Sequence, residues 1–163
     1  MKTAVVTGGA SGIGRATCAR LLADGFTLAV CDLDEGGAKE SAGPSGLGRG
    51  VDVADAGSVE AFFAEVVATL GRIDVLVNNA GISGRARIDD PQAAEVWDRL
   101  IDVNLQGLFN VTHACVPALK ETRGCIVNLS SIVAFVSGIS SAGYVASKGA
   151  VRSLTQVLAR DLA

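Results

Sequence analysis

An α/β domain with a doubly wound parallel sheet is the fold class this sequence predicts, and three observations carry it. Short apolar, β-branched runs alternate with helical patterns along the chain, the arrangement that produces βαβ crossovers. The first run, Thr3–Thr7 (TAVVT), flows directly into a glycine-rich turn, Gly8-Gly9-Ala10-Ser11-Gly12-Ile13-Gly14, and then into a helical pattern. The composition lies on the apolar side for a soluble protein, with 49% hydrophobic residues and a mean hydropathy of +0.41. Parallel strands account for that, because they are buried on both faces.

The elements follow in order. Residues 3–7 form the first strand and 13–23 the first helix. Residues 27–31 (TLAVC) form the second strand, which ends at Asp32. The glycine-rich stretch 35–48 predicts a short helix and a loop, and 50–53 a third strand. Val59, Phe62, Phe63, Val66, Val67 and Leu70 recur at helical spacing and define an amphipathic helix. Residues 73–77 (IDVLV) form the fourth strand. Pro91 opens a long helical region with Leu105, Leu108, Phe109, Thr112, Cys115, Val116 and Leu119 on one face. Residues 125–129 form the fifth strand and 142–162 the last helix. The expected strand order is 3-2-1-4-5 within one domain covering residues 1–163, with no internal repeat or low-complexity tract.

Several function classes are excluded. A net charge of −3, a pI near 5.1 and the lack of a basic cluster argue against a nucleic-acid surface. Charged residues interrupt each apolar stretch well short of a bilayer-spanning length, so no membrane partner is expected. The N-terminus runs straight into the first strand without a signal-peptide cleavage pattern. Cys18, Cys31, Cys115 and Cys125 show no CxxC spacing and sit in apolar patterns, which predicts small core residues. Free thiols fit a reducing cytoplasm. His113 is the only histidine, with no second ligand candidate nearby, so no metal site is expected.

A strand, a glycine-rich turn and a helix in succession form the dinucleotide-binding arrangement of a Rossmann-type fold. Gly8 lets the chain turn sharply, Gly12 lets the backbone approach a pyrophosphate, and Gly14 lets the helix pack close on the strand. The helix N-terminus offers free N–H groups to the phosphates. Asp32 ends the second strand, where a carboxylate bonds both ribose hydroxyls of NAD and repels the 2′-phosphate of NADP. No Arg or Lys occupies positions 33 or 34 to offset that repulsion. Asn78, Asn79 and Gly81 follow the fourth strand as turn residues facing the cofactor cleft. Asn104 is a mediocre helix former in mid-helix, which points to a kink or a polar function.

Near the other end, Tyr144 and Lys148 stand one helical turn apart and project from one helix face. A cation beside a phenol favours the ionised phenol, the equipment for trading a proton with an alcohol. Ser131 lies upstream at the end of the fifth strand and could bond the same substrate oxygen. Alternation would put Ser130 and Ser131 on opposite faces of that strand.

Taken together, Thr7 to Gly14, Asn78-Asn79-Ala80-Gly81, Asn104, Ser131 and Tyr144-x-x-x-Lys148 resemble the short-chain dehydrogenase/reductase family, in order and spacing along nearly the whole chain. The resemblance implies an NAD-dependent oxidoreductase interconverting a secondary alcohol and a ketone, with a small-molecule substrate. It implies Tyr144 as catalytic acid/base, Lys148 as the partner that tunes it and binds the nicotinamide ribose, Ser131 as the group that orients the substrate oxygen, and Asn104 as carrier of a proton-relay water. The cofactor-binding set it implies is Gly8, Ser11, Gly12, Ile13, Gly14, Asp32, Asp52, Val53, Asn79, Ala80 and Gly81, with Tyr144 and Lys148. Asp52-Val53 is similar to the family's adenine-contacting pair, although Asp52 could equally cap the next helix. Ser11 stands where NADP-preferring relatives often carry a basic residue. Relatives commonly pair through their long helices, so a homo-oligomer is expected.

One departure counts against full equivalence. Members of this family usually add two further strands, a Pro-Gly turn under the nicotinamide and a substrate-covering loop. No Pro-Gly pair follows Tyr144 in this sequence. The lid and part of the nicotinamide floor are therefore expected to be missing, and the alternative reading is a non-catalytic NAD-binding fragment of such an enzyme.

Overall fold

A computed structural model of the chain describes residues 1–136 and 140–163. Among these residues five strands pair in one parallel sheet: β1 (Thr3–Thr7), β2 (Thr27–Asp32), β3 (Leu47–Gly50), β4 (Val75–Asn78) and β5 (Cys125–Asn128). Their order is β3-β2-β1-β4-β5, as the alternation predicted. The helices between and around them are α1 (Gly12–Ala23), α2 (Glu35–Ala42), α3 (Ala56–Leu70), α4 (Ala93–Ile101), α5 (Leu108–Thr122) and α6 (Ala142–Asp161).

The sheet is apolar on both sides because its central strand feeds two cores. Val5 pairs with Ala29 and Leu76 and packs with Phe62, Val66 and Val111 on the side of α3 and α5. Ala4 and Val6 point the other way, toward Cys18, Leu28, Val30 and Ala38 on the side of α1 and α2. The period of two along β1 thus divides its residues between two hydrophobic layers. The strand order reverses between β1 and β4, opening a crevice beyond their carboxyl ends where ligands of such sheets bind.

Three expectations are corrected. The third strand is Leu47–Gly50 rather than 50–53. Val51 and Val53 are buried, but they follow the ladder, which pairs Ala29 with Leu47 and Asp32 with Gly50. Glycine is required in this strand despite its poor propensity: a Cβ on Gly48 would lie 2.4 Å from the Lys39 Cα of α2. Cys125 is exposed, not a core residue, because β5 has only β4 beside it among the described residues. Phe109 is half exposed rather than part of the buried stripe of α5, which runs through Leu108, Val111, Thr112, Cys115 and Leu119. The phase breaks at residues 102–107, which form a π-helical turn between α4 and α5. Among the described residues no helix is long and apolar enough to cross a membrane.

Asp74, just before β4, anchors the start of β1 and creates an acid-sensitive joint. Its carboxylate pairs with Arg72 and accepts the Thr3 amide at 2.8 Å. The Arg72 guanidinium first, and the Thr3 amide after it, hold the carboxyl below its ordinary value of 3.8. Ionised Asp74 therefore favours the folded chain; its contribution is complete above the unfolded-state value and is lost as pH falls through the folded one. Acid unfolding followed by circular dichroism should show Asp74→Asn less stable near neutrality, with a flatter loss of stability below about pH 4 than the parent. Parallel curves for the two proteins would contradict this.

Candidate nucleotide cleft and active site

The β1–α1 turn is built to leave backbone N–H groups free. Ser11 caps α1 with extended backbone (φ −147°) but makes no side-chain cap bond, and the first turn carries no acidic residue. The first amides of α1 are therefore available to an anion. Gly12 has φ +51° with open space around its missing side chain, so it is there for conformation. Gly14 is there for room: a Cβ would stand 2.0 Å from the Gly8 carbonyl oxygen and 2.5 Å from Asn79 Nδ2.

Neighbouring strands fix this turn from two sides. Asn79 Nδ2 donates to the Thr7 and Gly8 carbonyls, each at 2.9 Å. Thr7 Oγ1 accepts from the amides of Asn79 (3.1 Å) and Ala80 (3.0 Å). From β2, the Cys31 carbonyl accepts the Gly8 amide at 2.7 Å. The Asp32 carboxylate accepts the Ala10 amide at 3.0 Å and the Asp34 amide at 3.1 Å, which aims it at the mouth of the turn. Asp52 accepts the Ala54 amide at 2.9 Å, whereas Asp55 caps α3.

The far end of the site is organised by the π-helical turn. Asn104 is 1% exposed there and reads the β4–α4 loop with its whole amide. Its Oδ1 accepts the Ile82 amide at 2.8 Å, and its Nδ2 donates to the Ile82 carbonyl at 3.0 Å and to Ser147 Oγ at 3.3 Å. Ser147 Oγ in turn donates to the Tyr144 carbonyl at 2.9 Å. Tyr144 is half-buried, and Lys148 Nζ lies 6.0 Å from the centre of its ring. Lys148 is only 6% exposed, and that burial pushes its ammonium below the ordinary lysine value. Its Nζ donates to the Leu129 carbonyl at 2.8 Å.

One cleft of about 490 Å³ joins these parts. Gly8, Ser11, Gly12, Ile13, Asp32, Asp52, Val53, Asn79, Ala80, Gly81, Tyr144 and Lys148 all line it. Gly14 supports it from below. Asn104 does not line it, acting on the wall through Ile82. Ser131 also lies outside the lining, with Oγ accepting the Val133 amide at 3.3 Å to cap the short 3₁₀ turn at residues 132–134. Sequence reasoning passed over Ser130, which does line the cleft and donates to the Lys148 carbonyl at 2.8 Å. Alternation could not find it, because β5 ends at Asn128 and both serines sit on the turn that follows.

A parallel sheet with a nucleotide-sized cleft at its switch point, and a Tyr/Lys pair on one wall, defines a dinucleotide-binding class of protein. The comparisons make that class specific. The family model described as short chain dehydrogenase matches residues 2–163. The chain is 40% identical to 3-oxoacyl-acyl-carrier-protein reductase FabG of Staphylococcus aureus, covering 99% of this chain and 69% of that protein. It is also 40% identical to (3R)-3-hydroxyacyl-CoA dehydrogenase of Canis lupus familiaris, covering 98% of this chain and 67% of the relative. The ligand-free aldohexose dehydrogenase of Thermoplasma acidophilum superposes with a TM-score of 0.88 at 33% identity, over 98% of this chain and 61% of that one. The chain belongs to the short-chain dehydrogenase family.

Proposed function

We propose that this chain binds NAD(H) in its cleft and interconverts a secondary alcohol and a ketone, with Tyr144 as the acid/base. The observation that carries the proposal is the single cleft that links the free N–H groups of α1, the Asp32 carboxylate and the Tyr144/Lys148 pair. The residues fit the nucleotide chemically. The α1 amides would hold the pyrophosphate, Asp32 the adenosine ribose, Asp52 and Val53 the adenine, and Lys148 the nicotinamide ribose. NAD, when bound, supplies the hydride acceptor, chemistry that belongs to the cofactor.

The chain's own share is orientation and proton handling. Tyr144 would take the proton from the substrate hydroxyl oxygen, or return it to a carbonyl oxygen, as general acid–base logic requires. A buried ammonium close behind it favours the negative charge that this exchange places on the phenol. Ser131 would have to release the Val133 amide to bond the substrate oxygen. Asn104 would contribute by holding the 81–83 wall against α6, since its amide is engaged by Ile82 and Ser147.

The relatives' names cover a 3-oxoacyl-acyl-carrier-protein reductase, a 3-hydroxyacyl-CoA dehydrogenase and an aldohexose dehydrogenase, so the substrate class proposed here is only the shared alcohol/ketone group. A non-catalytic NAD-binding role is the second reading. It is favoured by the exposure of Ile132, Phe135 and Val136 in the segment that follows Ser131, which nothing covers among the described residues. NADH formation from a panel of secondary alcohols separates the two: turnover supports the enzyme, and NADH binding without turnover on any member supports the second reading. Self-association is part of the proposal, because among the described residues nothing pairs with the outer edge of β5, where Val127 is exposed. Light scattering reads it, and a monomer at all concentrations would remove it.

A further inference from the structure

Lys148 is held at both ends by one dipeptide. The Leu129 carbonyl accepts its Nζ at 2.8 Å, and Ser130 Oγ donates to its backbone carbonyl at 2.8 Å. Leu129 and Ser130 form the turn that leaves β5, so this pair of bonds ties the catalytic turn of α6 directly to the end of the sheet. A lysine stem is rotamer-rich, and a fixed Nζ needs a fixed point of origin as well as a fixed acceptor. Elsewhere on α6 the ties are made at other turns of the helix. Ser147 links to Asn104 of the π-helical turn, and Thr155 Oγ1 accepts from Asn128 at 2.9 Å about two turns further along. Ser130 is the side chain that fixes α6 at Lys148 itself, and it does so while lining the cleft.

We infer that Ser130 is a positioning residue: its hydroxyl sets the backbone from which Lys148 reaches the nicotinamide ribose. Ser130 and Ser131 then divide the work, the first acting through Lys148 and the second reserved for the substrate side. The inference rests on the proposed cofactor reading. A purely structural serine would alter melting temperature and leave nucleotide affinity alone, or would alter it independently of Lys148.

The test is fluorescence titration of NADH into the intact chain, with a thermal melt of each variant. Ser130→Ala should raise the NADH Kd roughly three- to tenfold, the loss of about one hydrogen bond. Ser130→Thr, which keeps the hydroxyl, should restore most of the affinity. Lys148→Ala should weaken binding at least as much, and adding Ser130→Ala to it should cause little further loss, because the serine acts through that lysine. Should Ser130→Ala unfold, Ser130→Cys provides the same comparison. Parental affinity in Ser130→Ala, or additive effects in the double variant, would overturn the inference. If Lys148→Ala weakens binding and Ser130→Ala does not, this inference alone falls. If the parent chain binds no NADH, the cofactor reading falls with it.

Discussion

Tyr144→Phe should cut alcohol–ketone turnover by roughly 10²–10⁴-fold, the usual worth of a general acid/base, while NADH affinity stays close to the parent's. The substitution removes one hydroxyl and keeps the ring that lines the cleft wall, so packing against Lys148 is preserved. The separation of effects is the point: a loss of rate without a loss of binding places Tyr144 at the reacting oxygen, not in the nucleotide's binding surface. Steady-state rates with a coupled NADH readout, beside a direct binding titration, give both quantities. Near-parental turnover would remove Tyr144 from the mechanism.

Gly14→Ala should be the most damaging change in the nucleotide half of the cleft. The added methyl would meet the Gly8 carbonyl oxygen at 2.0 Å, a backbone atom that is itself pinned by Asn79 at 2.9 Å and cannot swing aside. Overpacking of this kind costs about 3 kcal/mol or more, read as a lower denaturation midpoint with NADH binding lost. Gly12→Ala is the control for stability alone, since Gly12 lines the cleft. Its Cβ meets no protein atom within 4 Å and is strained only by φ +51°, so its cost to folding should be about 1 kcal/mol. Equal denaturation midpoints for the two variants would show that the turn is more plastic than its hydrogen bonds imply.

Most of the sheet was legible because each strand sits beside an unambiguous partner pattern: TAVVT before the glycine turn, and the Val59-to-Leu70 stripe before β4. The third strand was not. Its sequence, Leu47-Gly48-Arg49-Gly50, is dictated by the close approach of α2, and propensity reads two glycines as a loop. Val51 and Val53 look like a strand because they are buried, yet their burial comes from lining the cleft and the α3 side of the core. Asn104 was legible as an irregularity in a helix, and the π-helical turn is what that irregularity is. Its bonding to Ile82 and Ser147 was not legible, since those partners lie 22 and 43 residues away in sequence. Ser130 was set aside because regular alternation would place it on the face opposite Ser131, whose spacing to Tyr144 fitted the family pattern. Because β5 ends at Asn128, that alternation does not reach either serine.

One carboxylate, Asp32, together with the free amides of α1, is what would make this cleft a site for NAD(H). Asp32 is already oriented by the Ala10 and Asp34 amides; under the proposed reading it would meet a ribose from that position and would repel a 2′-phosphate. Parallel titrations of NADH and NADPH into the chain and into Asp32→Ala test this most directly. NADH should bind more tightly than NADPH by about tenfold or more in the parent, on the order of 1.4 kcal/mol, and the gap should narrow in Asp32→Ala. Equal or tighter NADPH binding in the parent, or no binding of either nucleotide, would contradict it.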